Sequence, residues 1–209
     1  MKLHFIIDKK YDLRFAQNVR SKQEIEKQYE LCKSALLYSV HEYQKTWDEI
    51  NDAFSKSIEQ VTGYKWAHKK YYCVVSPAHQ GISNWDGSDR IIRWWKENPY
   101  AMRRITAHEL ILHHYFYIVK TYFVDAKLTD KQIWALAEIA SFALTSLTPQ
   151  IKKFWPWDTD GYYTNHNYQS IVPLQMKLKK PFLERESFDK YIQTGIELVK
   201  KYKHPISFV

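Results

Sequence analysis

Two cysteines, Cys32 and Cys73, are all that 209 residues offer. Neither a disulfide framework nor a cysteine-based zinc site can be built from them, and a reducing compartment, the cytoplasm, is the expectation. Long apolar runs are also missing. None approaches the ~20 residues that span a bilayer, so no membrane partner is expected. The N-terminal run Leu3–Ile7 is too short for a signal peptide. Acidic residues are in deficit, 23 against 31 Lys and Arg, and the net charge of +8 favours acidic partners or anionic surfaces. No internal repeat, low-complexity tract or clear linker divides the chain, which reads as one domain over residues 1–209. What is abundant is apolar and aromatic surface, 45% and 16%, as a packed globule requires.

The order of elements argues an α+β domain. Leu3–Ile7 reads as a strand. Apolar residues then recur every three or four positions at Ile25, Tyr29, Cys32, Leu36, Val40, Tyr43, Trp47, Ile50, Phe54, Ile58 and Val61. That is the buried stripe of a long helix or helix pair, and Gly63 is its natural stop. Tyr71–Val75 is a second strand, 78–88 a loop, and Asp89–Trp95 a third strand. Asn98-Pro99 opens a helix that fades near Phe123. Thr129-Asp130-Lys131-Gln132 matches a capping box and opens the next. Residues 149–180 read as irregular, and Ser187–Tyr202 as a last helix.

The chemistry concentrates in the helix after Asn98. Its run Ile105-Thr106-Ala107-His108-Glu109-Leu110-Ile111-Leu112-His113-His114-Tyr115-Phe116 sets one acid and three imidazoles among apolar residues. The following helix is apolar from Ile133 to Leu147 with a single charged residue, Glu138. Burying a polar group without a partner costs roughly 2–7 kcal/mol. Two lone carboxylates beside a histidine cluster therefore suggest a shared partner, and a divalent metal is the simplest one.

These residues resemble the gluzincin class of zinc metallopeptidases. Members carry His-Glu-x-x-His on a helix after a small sheet and a Glu ligand on the next helix. The resemblance spans roughly residues 71–147. It implies a zincin-like α+β fold, with a small sheet packed on a long motif helix and further helices around it. It implies Zn2+ held by His108, His113 and Glu138, and Glu109 as the general base that takes a proton from metal-activated water. A peptide or protein substrate, acidic given the chain's charge, is implied with it. Tyr162, Tyr163 and His166 are candidate donors to the oxyanion, Tyr163 and His166 foremost. The segment Ile82–Trp94 is a candidate edge strand for an extended peptide.

The motif departs from the class by one residue. Position 112 is Leu112, so the spacing is His-Glu-x-x-x-His. Five residues of a regular helix turn about 500°, which leaves His108 and His113 roughly 140° apart. An i→i+5 turn would bring them together. The longer spacing is similar to that of zinc carboxypeptidases that remove a terminal tyrosine from tubulin tails. That similarity is confined to the motif.

Other readings stay open. Glu109 and His113 share a face at i,i+4 and, with Glu138, make a carboxylate-rich set for iron or manganese. His114 replaces His113 only with larger rearrangement. Without metal, the histidines line a wet face, Glu109 pairs with Arg104 or a lysine, and Glu138 with a buried Arg. The fold is then a non-catalytic scaffold. A further alternative is a single-stranded nucleic-acid surface, because Lys65–Tyr72 and Arg90–Lys96 interleave cations with aromatics. No named nucleic-acid motif accompanies it.

Overall fold

The structure is a computed structural model that describes residues 1–18, 21–83, 87–157, 168–202 and 206. It is α+β, as the order of elements predicts. The chain clusters into two compact units, Met1–Ser55 with His68–Leu110, and Lys56–Ala67 with Ile111–Val209.

The first unit holds a four-stranded mixed sheet in the order β1-β2-β4-β3. Strand β1 is Lys2–Ile6, β2 is Lys70–Ser76, β3 is Gly81–Ser83 and β4 is Arg90–Trp94. The first three strands in that order run parallel, with Leu3 opposite Tyr71 and Val74 opposite Ile92. Strand β3 pairs antiparallel to β4 and forms one edge. The Ile82–Trp94 segment thus supplies both an edge strand and an interior one. Central β2 is buried from Cys73 to Ser76, as a strand covered on both faces must be.

Two sets of residues cover those faces. Helix α1, Lys9–Asp12, and the 3-10 turn Leu13–Asn18 bring Tyr11 and Phe15 onto Ile6, Val74, Ile92 and Ile82. On the other side Phe5 meets Tyr43 and Trp47 edge-on, with ring centroids 5.8 and 6.4 Å apart. These two rings belong to the predicted helical stripe. Its periodicity runs on through two breaks, so the structure has three helices there: α2 Lys22–Leu31, α3 Lys33–Asp48 and α4 Asn51–Thr62. Gly63, with φ 80°, follows α4. Side chains also close the outer edge of β1. Gln44 accepts from Phe5 N at 2.8 Å and Asn51 accepts from Leu3 N at 3.1 Å. Such capping stops an edge strand from recruiting another chain.

The motif helix, α5, spans Met102–Tyr122 after a turn in which Asn98 Oδ1 accepts from Tyr100 N and Ala101 N. In the second unit α6, Asp130–Leu147, is buried from Ile133 to Thr145. Its predicted capping box is present, with Thr129 and Gln132 bonding reciprocally. Helix α7 is Pro149–Lys152, α8 is Val172–Leu183 and α9 is Phe188–Lys200, with Ser187 capping α9. The stretch 149–180, expected to be irregular, therefore contains helix at both ends. Pro149 and Pro173 occupy first-turn positions, where no backbone donor is lost. Pro181 falls in the last turn of α8.

Candidate functional site

His108, Glu109, His113, His114 and Glu138 are all buried, which removes the wet-face arrangement of the histidines. Glu109 lies against the sheet. The Ser83 hydroxyl, on β3, contacts both its carboxylate Oε2 and, at 3.0 Å, its backbone carbonyl. Arg93 Nη1, on β4, is 4.0 Å from Oε1. The same guanidinium bonds the Glu97 carboxylate through Nη2. Glu109 thus faces Arg93. Gly81 makes the approach feasible. A Cβ there would lie 2.7 Å from Glu109 Oε1 and 2.6 Å from Arg93 Nη1.

His114 packs in the second unit. Its ring lies 4.6 Å from that of Trp66, and its Nε2 is 3.2 Å from Thr62 Oγ1. The Thr62 hydroxyl proton is committed to the Ile58 carbonyl at 2.8 Å, so His114 Nε2–H is the donor of that pair. The ring is accordingly the neutral Nε2–H tautomer. Burial, reinforced by neighbouring His113, pushes its pKa down to about 3. Tyr115 beside it is raised well above the phenol range, again by burial.

The donor types suit zinc, since two imidazoles and a carboxylate are ordinary ligands and all three are shielded from water. Geometry is less accommodating. Helix α5 is α-helical throughout, without a π turn between His108 and His113. Residues five apart in such a helix diverge by roughly 140°. Among the described residues no three or more His, Cys, Asp or Glu side chains form a metal-holding group. Tyr162, Tyr163 and His166 lie outside the described residues.

A second polar cluster escaped the sequence. Asp12 from α1, Tyr29 from α2, Ser76 at the end of β2 and His79 just beyond it meet inside the first unit, each under 7% exposed. Asp12 Oδ2 accepts from Ser76 Oγ and Tyr29 OH at 2.8 Å each, and Oδ1 faces His79 Nδ1 at 2.7 Å. His79 Nε2 faces the Phe15 carbonyl at 3.2 Å. Serine, histidine and aspartate here are not wired for nucleophilic attack. The Ser76 proton goes to the carboxylate instead of the imidazole, and Ser76 Oγ accepts from Ala78 N and His79 N at 2.9 and 2.8 Å. Both ring nitrogens of His79 face oxygen acceptors, an arrangement that an imidazolium satisfies. The cluster pins the α1 segment to the sheet. Separations of 64 and 67 residues left no local signal for it.

In the cationic-aromatic segments, part of the aromatic surface is withdrawn. Trp66 and Tyr71 are core residues, 7% and 0% exposed. Trp94 and Trp95 are half-buried, and Lys96 lies over the Trp95 ring at 4.9 Å. No helix among the described residues is long and apolar enough to cross a membrane. No protein-family model matches the chain, and neither a curated protein nor a solved structure does.

Proposed function

We propose that this chain is a zinc-dependent peptide hydrolase in which Glu109 is the proton-accepting carboxylate and His108, His113 and Glu138 are the metal ligands. The observation that carries the reading is Glu109 itself. It is a buried carboxylate on the motif helix, next to a buried His108, and it is held by a hydroxyl from the antiparallel edge strand. Zinc, when bound, would supply a water acidic enough to be hydroxide near neutral pH. The chain's own part is to fix the base. The Ser83 hydroxyl donates to Glu109 Oε2, and Arg93 Nη1 lies 4.0 Å from Oε1. Strand β3 runs beside that carboxylate and offers an edge to an extended peptide. The surplus of cations, 31 against 23, favours an acidic peptide, and free Cys32 and Cys73 suit the cytoplasm.

A non-catalytic scaffold of the same fold is the second reading. The unbroken α5 helix and the lack of a three-donor group among the described residues favour it. Elemental analysis of the untagged protein separates the two. One zinc per chain, lost in the His108→Ala, His113→Ala and Glu138→Ala variants, supports the hydrolase. Stoichiometric zinc in all three variants removes this ligand set, and a wild type that takes up no zinc leaves the scaffold.

A further inference from the structure

We infer that Gly81 and Ser83, both on edge strand β3, are positioning residues for the Glu109 carboxylate. The inference deepens the hydrolase reading and rests on it for the role of Glu109. Residues two apart on a strand present the same face, so positions 81 and 83 both meet the motif helix. Their contributions differ. Ser83 supplies its one hydroxyl proton to Oε2, and the same oxygen lies 3.0 Å from the Glu109 backbone carbonyl. Gly81 supplies space. Oε1 and the end of Arg93 fill the volume that a Cβ would take, at 2.7 and 2.6 Å. Arg93 cannot retreat freely, because its other nitrogen bonds Glu97 and it is only 3% exposed. One oxygen is therefore held by the Ser83 hydroxyl, and the other sits against Arg93 in the space that Gly81 leaves. A base acts only within hydrogen-bond reach of its proton, so a displaced carboxylate loses rate even when the fold survives.

Gly81→Ala is an informative substitution. Gly81 does not need a left-handed backbone, and the atoms its methyl meets belong to side chains, so the substitution displaces the Glu109 carboxylate or the Arg93 guanidinium and not the main chain. Peptide hydrolysis by the zinc-loaded protein should show kcat reduced at least tenfold in Ser83→Ala and in Gly81→Ala, with KM within twofold and zinc content unchanged. Ser83→Thr, which keeps the hydroxyl, should recover most of the loss. Wild-type kcat in both Ser83→Ala and Gly81→Ala would overturn the positioning role. A second measurement needs no activity. The melting-temperature losses of Ser83→Ala and Glu109→Gln should be non-additive, the double variant losing less than the sum. Additive losses would overturn the clamp. A wild type that cleaves no peptide, combined with non-additive losses, would sink the hydrolase and leave the clamp standing.

Discussion

At the scale of single residues, the buried imidazole of His114 makes stability depend on pH. His114 has one acceptor partner and an apolar enclosure, so its pKa falls to about 3 from an ordinary 6.5. Between those values the unfolded chain binds a proton that the folded chain refuses, and stability falls as pH falls through that window. The loss from this residue reaches roughly 4 kcal/mol at pH 3. His114→Phe should flatten the dependence of urea stability on pH between 6 and 4. A difference between wild type and variant that stays constant with pH would contradict the assignment. His79 sits instead against a carboxylate and a carbonyl. Asp12→Asn strips the charge from its partner and should cost about 3–5 kcal/mol, the usual result of breaking one side of a buried pair. Tyr29→Phe removes one donor to the same carboxylate and should cost less, about 1.5–3 kcal/mol. Urea midpoints of the two variants check that order. Glu109 and Glu138 were legible as singular charges in apolar helices. The partners Ser83, Arg93 and Gly81 were not, since the contacts of Glu109 cross from helix to sheet and leave no trace in spacing.

Elements were readable wherever their signal is local. The capping box at Thr129, the helix from Ser187 and the β-branched runs of β2 and β4 act within a few residues, and the structure shows each. Most of the long stripe from Ile25 to Val61 is core, as expected: Ile25, Leu36, Trp47, Phe54 and Ile58 are at most 1% exposed, while Cys32, Val40 and Val61 are half-buried. Its breaks at Cys32 and at Glu49–Ile50 were not visible, because the three-to-four spacing continues across them. Strand β3 hid inside an expected loop for a related reason. Three residues are too few to show alternation, and its pairing with β4 is what makes it a strand. Local signals also predict local energetics. Thr129→Ala should cost about 0.5–2 kcal/mol by exposing the first turn of α6. Thermal unfolding tests this, and an unchanged melting temperature would mean that burial of Ile133–Thr145 alone sets the start of the helix.

For the whole molecule, the excess of 31 basic over 23 acidic residues invites a polyanion, and the question is what kind of contact it would make. Phosphate neutralisation needs only exposed cations, whereas sequence-tolerant grip on single strands also needs exposed aromatic faces, worth about 1–3 kcal/mol per stacked base. Trp66 and Tyr71, the aromatics that interleave with Lys65, Lys69 and Lys70, are spent on the core. Lys96 covers the Trp95 ring, and Arg90 lies over the Tyr72 ring at 5.6 Å. At these two segments, contact with single-stranded DNA is therefore expected to be mainly electrostatic. Affinity should fall steeply with salt. An abasic oligonucleotide of equal length should bind within twofold of its base-bearing counterpart if contact is made at these two segments, since their aromatics are buried or covered. Fluorescence anisotropy at two salt concentrations measures both. A base-bearing strand that binds tenfold or more tightly than the abasic one would show that the chain presents stacking surfaces after all, and would move nucleic-acid binding ahead of peptide hydrolysis.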